Sequence, residues 1–161
     1  IFCLSFDYGQ PHARQELKAA KLITAKLGVD HIIEKIDFDF MRTDMAGDNP
    51  VVPNRNAIFL TLASAIATTK NCQLVYIGCT QSDYEVFADC RSLFIRAIDE
   101  AMTLSCNVRI IAPLVGITKA TIVKSSSALG VDLNETWSCY AGNDEPCGTC
   151  LACKERAAAF V

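Results

Sequence analysis

Four cysteines fall within fifteen residues, Cys139, Cys147, Cys150 and Cys153, with the spacing C-x7-C-x2-C-x2-C. One tight turn can present thiolates set two residues apart to a single tetrahedral ion, and Gly148 supplies the backbone freedom such a turn needs. The fourth thiolate closes the shell, which favours a structural over a catalytic role. Zinc is the metal this pattern favours. Two disulfides among such close cysteines would strain the bridge geometry. The iron–sulfur run that shares the C-x2-C-x2-C spacing adds a following Cys-Pro that is absent here. The total of nine cysteines is odd, which also favours metal over disulfides. The other five, Cys3, Cys72, Cys79, Cys90 and Cys106, lie mostly in apolar patterns and read as small buried hydrophobes.

A second group of residues could bind an anion. Val52-Pro53-Asn54-Arg55-Asn56 precedes an apolar helical segment. Asn54 and Asn56 can cap that helix. Arg55 opposes the helix dipole there unless a phosphate or carboxylate is also present. Further on, Gly78-Cys79-Thr80-Gln81-Ser82-Asp83 follows a strand pattern, and Asp89-Cys90-Arg91 opens the next helix. Asp83, Asp89 and Arg91 stand together where a parallel sheet binds its ligands, beyond the carboxyl ends of the strands. The plainer alternative is a solvated loop with Asp89 as a helix cap. Lys119 starts another helix after a strand and loop. His12 and His31 have no neighbouring ligand set and read as structural or surface residues.

The elements that must position these groups alternate. Ile1–Phe6 reads as a buried strand closed by an Asp7–Gln10 turn, and Ala13 to Gly28 as a helix ended by the glycine. Residues 31–40 return to strand, and 42–50 read as a mobile loop. Residues 57–69 are apolar on nearly every side and predict a buried helix. Strands follow at 74–78 and 108–112, with a loop at 80–88 and helices at 92–104 and from Thr118 to Gly130. Strand and helix alternate four times, which predicts an α/β fold, a doubly wound parallel sheet over residues 1–133. Residues 134–161 form a four-cysteine metal-binding appendage.

Composition limits the partners. Half of the chain is hydrophobic (51%), ample for a core, and the net charge of −3 lacks the basic excess of a nucleic-acid or acidic-membrane binder. No apolar run is long enough to span a membrane, and the N-terminus lacks a signal-peptide layout. A cytoplasmic protein is expected.

The order of four motifs resembles the 7-cyano-7-deazaguanine synthase (QueC) family of the PP-loop ATP pyrophosphatase class. They are Phe6-Asp7-Tyr8-Gly9-Gln10, Val52-Pro53-x-Arg55-Asn56, Asp89-Cys90-Arg91, and Cys139 through Cys147-Gly148-x-Cys150-x-x-Cys153-x-x-Arg156. The resemblance implies a ligase that uses ATP, with magnesium, to join ammonia to 7-carboxy-7-deazaguanine and form the nitrile. It implies Lys119 and Arg55 as catalytic cations and Asp83, Asp89 and Arg91 as substrate-binding residues. Phe6, Asp7, Tyr8 and Arg55 would form the ATP edge, the zinc would be structural, and the protein would be a homodimer. A PP-loop relative with another acceptor, or a zinc-stabilised binding domain without catalysis, are the competing readings.

The chain departs from the family pattern in places. Asn54 stands where glycine is usual, Ala88 where proline is usual, and the segment around 42–50 is short. The family's Ser-Gly-Gly-x-Asp-Ser phosphate loop is absent, and Ile1–Phe6 matches the family's second strand. Since the sequence opens on Ile1 inside an apolar run, the expectation is a native protein that begins some tens of residues earlier with that loop.

Overall fold

Strand β1 (Phe2–Asp7) pairs in parallel with β2 (Asp30–Lys35), Phe2 opposite Asp30 and Asp7 opposite Lys35. Parallel pairing needs a crossover, which helix α1 (Ala13–Leu27) provides. Gly28 ends α1 in the left-handed region at φ +64°, where a side chain would be strained. The computed structural model describes residues 1–37 and 52–160. The segment 42–50 and the end of the expected second strand, 38–40, lie outside the described residues.

The described residues form two compact units. The first comprises Ile1–Val52 and Ala120–Val161. With β1, α1 and β2 it holds all but the first residue of α5 (Lys119–Ala128), a 3-10 turn at Leu133–Glu135, and the cysteine segment leading into α6 (Leu151–Ala159). The helix at α6 was not read from the sequence.

The second unit is Pro53–Lys119. It contains α2 (Arg55–Thr69), β3 (Leu74–Tyr76), α3 (Gln81–Val86), a 3-10 turn at Ala88–Cys90, α4 (Ser92–Cys106) and β4 (Arg109–Ile111). Strands β3 and β4 are parallel, Leu74 opposite Arg109 and Tyr76 opposite Ile111. Leu60, Ala67, Phe87, Ile95, Val108 and Ile110 are buried. The architecture is α/β with parallel strands, and the described strands pair two by two.

Several expectations need correcting. The expected loop at 80–88 contains α3, because Thr80 and Asp83 form a reciprocal capping box that starts a helix. Asp89 does not cap α4; Arg91 holds that position without a side-chain cap bond. Helix α2 is not buried all round. Asn56, Leu60, Ala63, Ser64 and Ala67 make one buried stripe at helical spacing, while Thr61 and Leu62 are exposed. Of the five scattered cysteines only Cys79 and Cys90 are buried. Cys72 and Cys106 sit half-buried at helix ends, and Cys3 on β1 is exposed.

Candidate metal centre and ligand edge

The candidate metal centre grows out of a left-handed turn and a helix start. Gly148 takes φ +72° between Cys147 and Cys150, the conformation its lack of a side chain permits. Cys150 then occupies the N-cap of α6, and Cys153 lies in its first turn, where the helix dipole favours a thiolate. Cys139 arrives from the other side and is almost fully buried. The four sulfurs lie within 4.8 Å of one another, and Cys147 Sγ is 4.0 Å from Cys153 Sγ. A tetrahedral zinc with Zn–S bonds of about 2.3 Å would set sulfurs about 3.8 Å apart, so a small inward adjustment closes the shell. All four cysteines expected from the spacing are brought together.

Backbone amides prepare the sulfurs for charge. The N–H groups of Ala141 and Cys147 donate to Cys139 Sγ at 3.4 and 3.3 Å. Cys147 Sγ accepts from the Cys150 amide at 3.4 Å and from the Thr149 hydroxyl at 3.6 Å. The Cys150 amide and then the Thr149 amide and hydroxyl bring the Cys147 thiol down to about 6. Burial raises the Cys153 thiol to about 12. A bound cation would supply the compensating charge that keeps both sulfurs ionised.

The cysteine segment is seated on the first unit by contacts that the sequence did not announce. Tyr140 O accepts from His12 Nδ1 at 3.2 Å, which gives that expected structural histidine its role. Gln15 Nε2 donates to Asn143 O at 3.0 Å, and Arg14 pairs with Asp144. Arg156 on α6 donates to Thr136 Oγ1 at 2.8 Å and to Leu133 O, fastening the strand of chain that leads to Cys139. Lys26 pairs with Glu135 on the same side.

In the same unit, Phe6, Asp7 and Tyr8 end β1 and enter a turn at Gly9, φ +80°. Gln10 organises this turn. Its Oε1 accepts from the Tyr8 amide at 2.9 Å and its Nε2 donates to Phe6 O at 3.2 Å.

The candidate ligand edge of the second unit lies beyond β3 and β4. Gln81 N–H donates to Ile117 O at 3.1 Å, tying the connection after β4 to the start of α3. Lys119 follows two residues later at the head of α5. Asp83 turns back onto Thr80, accepting from its amide at 2.7 Å and its hydroxyl at 2.8 Å. Asp89 reaches across to α2, where its Oδ2 accepts from the Asn56 amide at 2.9 Å. That carboxylate therefore caps α2, the task expected of Asn54 and Asn56; Asn54 instead adopts φ +55° without a side-chain cap bond. Asn56 Nδ2 donates to Asp89 O at 3.4 Å and to Cys90 Sγ at 3.2 Å. Arg91 Nε donates to Tyr84 O at 3.2 Å, with its guanidinium 5.7 Å from the Tyr84 ring centre.

Cys79 and Cys90 are both buried in this cluster, and their mutual interaction splits the two thiols. It lowers Cys79 and raises Cys90, whose rise burial and the carboxylates of Asp83 and Asp89 reinforce. Arg55 also favours the Cys79 thiolate. Arg55, Asp83 and Asp89 are thus gathered about one buried thiol pair, which places charged side chains of both signs at the end of a parallel strand pair.

The profile of the family described as "Queuosine biosynthesis protein QueC" matches residues 41–161. A 7-cyano-7-deazaguanine synthase of Porphyromonas gingivalis is 38% identical over 172 residues, covering 95% of this chain and 78% of the relative. The chain belongs to the QueC family. Other relatives of the same name support the assignment. That of Trichodesmium erythraeum is 38% identical over 99% of this chain and 83% of its own length. The 7-cyano-7-deazaguanine synthase 1 of Colwellia psychrerythraea is 33% identical over 99% and 82%. The QueC match extends over both the cysteine centre and the ligand edge of the second unit. Among the described residues no helix is long and apolar enough to cross a membrane.

Proposed function

We propose that the chain is a 7-cyano-7-deazaguanine synthase, an ATP-dependent carbon–nitrogen ligase that converts 7-carboxy-7-deazaguanine and ammonia to the nitrile for queuosine or related deazaguanine synthesis. The observation that carries this reading is 38% identity over 95% of the chain to a relative of that name. The charged edge beyond β3 and β4 supports it chemically.

A carboxylate resists attack until one of its oxygens becomes a good leaving group. ATP transfers a phosphorus-bearing group to that oxygen, ammonia attacks the carbon, and the oxygen departs with the group, leaving an amide. A second ATP activates the amide oxygen in the same way; that oxygen departs with the transferred group as the nitrogen gives up two protons, and a nitrile remains. Holding acid, ammonia and nucleotide together supplies proximity. Arg55 and Lys119 would offset charge on the transferring phosphates, and magnesium brought in with the nucleotide would supply further neutralisation. Arg91 grips the substrate carboxylate, and Asp89 with nearby Asp83 accepts from the N–H groups of the base. Phe6, Asp7 and Tyr8 line the nucleotide edge.

In this reading the cysteine centre holds a structural zinc. Residues 1–133 form a doubly wound PP-loop domain, with 134–161 as its metal-binding segment. The protein works as a cytoplasmic homodimer without direct contact to nucleic acid. The test is incubation of the purified full-length native protein with 7-carboxy-7-deazaguanine, ammonium and ATP, followed by mass spectrometry. The expected result is nitrile that requires all three. ATP consumption without nitrile, or none at all, would overturn the assignment.

A further inference from the structure

A continuous line of contacts runs from the metal centre to the end of β1. Tyr140 follows the ligand Cys139, and its carbonyl accepts from His12 Nδ1 at 3.2 Å. The two rings are tilted against each other with centres 5.4 Å apart. His12 O accepts from the Glu16 amide at 3.0 Å, and His12 Nε2 stands 3.5 Å from Glu16 Oε1. Glu16 Oε2 accepts from Gln10 Nε2 at 3.1 Å. Gln10 then holds Phe6 O and the Tyr8 amide at 3.2 and 2.9 Å.

The geometry makes this more than a list of neighbours. Gln10 is 4% exposed, and its amide uses its nitrogen twice and its oxygen once. A buried amide satisfied in this way has one preferred orientation, because a flip would set donor against donor. Removing the Glu16 carboxylate deprives the nitrogen of one acceptor and frees the amide to seek another. The position of Glu16 is in turn set by the first turn of α1, which the cysteine segment holds at His12 and again at Gln15, through Asn143 O.

We infer that Glu16 and Gln10 are positioning residues for the Phe6–Asp7–Tyr8 edge, and that the metal loop keeps them in place through His12. The inference rests on the reading that this edge contacts the nucleotide. None of the three relay side chains need touch substrate. Their task is to fix the direction of two backbone groups, Phe6 C=O and Tyr8 N–H, and so the path of the chain through Asp7.

The test uses Glu16→Ala, Glu16→Gln and His12→Ala, with Asp7→Ala alongside. Hydrogen–deuterium exchange at the Tyr8 amide reads the relay directly. It should rise about tenfold in Glu16→Ala, the loss of about one hydrogen bond, and rise in His12→Ala as well. It should return to the parent rate in Glu16→Gln, whose side-chain oxygen can still accept from Gln10. In steady-state assays Glu16→Ala should raise KM for ATP several-fold while KM for the deazaguanine stays put. An unchanged Tyr8 rate in folded Glu16→Ala overturns the inference and leaves the nucleotide edge standing. An unchanged rate in His12→Ala overturns the link to the metal loop. Faster exchange with an unchanged KM for ATP overturns the positioning role, and Asp7→Ala then shows whether the nucleotide reading has fallen too.

Discussion

Gly142 lies directly against Pro11. A Cβ built on Gly142 would overlap the Pro11 carbonyl oxygen and stand 2.6 Å from its carbon. Both partners are backbone, so neither can rotate aside. Gly142 also takes φ +72°, where L side chains are strained. Gly142→Ala should therefore cost about 2–4 kcal/mol by combining overpacking with backbone strain. Thermal unfolding of the variant with metal bound would measure this, and faster metal loss to a chelator should accompany it. An unaltered Tm would mean that the loop is not seated on α1.

One zinc per chain, held by four sulfurs, is expected from elemental analysis and X-ray absorption. Cys150→Ser should lower stability rather than only slow turnover, since binding of a structural metal is coupled to folding. Stoichiometric iron, or less than half an equivalent of any metal after mild purification, would count against the assignment.

Substitution at the ligand edge should show in catalysis more than in folding. Arg91→Lys keeps the charge but loses the planar fork that matches a carboxylate, so kcat/KM for the base should fall about tenfold or more. Asp89→Asn retains an oxygen that can accept from the Asn56 amide and should leave the Tm nearly unchanged, yet it should impair use of the base. Unchanged kcat/KM in either variant would remove that residue from the site.

Asn56 offers a contrasting case. It joins α2 to the Ala88–Cys90 turn through three hydrogen bonds, one from its backbone and two from its buried side chain. Asn56→Ala keeps the backbone bond and should destabilise by about 1–3 kcal/mol, measured by urea unfolding. A loss below a few tenths would show that its side-chain bonds are dispensable.

Asp99 gives a prediction in pH. Its carboxylate accepts from Arg109 Nε and Nη2, each at 2.9 Å, and from the Ile110 amide at 2.7 Å. The Arg109 hydrogen bond, helped by the Ile110 amide, holds Asp99 below the usual carboxylate range. Its stabilisation is complete above the unfolded value of about 3.9 and is lost as pH falls through the lower folded value. Asp99→Asn should thus be less stable by about 1–3 kcal/mol at neutral pH, with the gap narrowing only below about pH 4. A gap that narrows instead on the alkaline side would exclude this origin.

The four-thiol cluster was legible because its information is local: four cysteines, a glycine turn and fixed spacing describe nearly the whole object. The strand and helix order was legible for the same reason, through apolar runs and the stop at Gly28. Helix α3 was obscured because its signal is a capping box, Thr80 with Asp83, inside a polar stretch that also reads as loop. The two-faced burial of α2 was hidden because small residues such as Ala65 suit either surface. Asp89 illustrates a harder limit. Its partner is Asn56, thirty-three residues earlier, and a single sequence offers no reason to choose that helix over the adjacent one. The seating of the cysteine segment by His12, Gln15 and Gly142 is equally non-local.

The contact from His12 to Tyr140 spans 128 positions of the chain. During synthesis, His12 leaves the ribosome long before Tyr140 exists, and closing so long a loop costs entropy before any contact repays it. The Gln10 bonds at the end of β1 join residues two to six positions apart and can form early, whereas the His12–Tyr140 contact is added only once the cysteine segment has been made. The two ends of the described chain are thus fastened last, by a segment whose order a bound metal would reinforce.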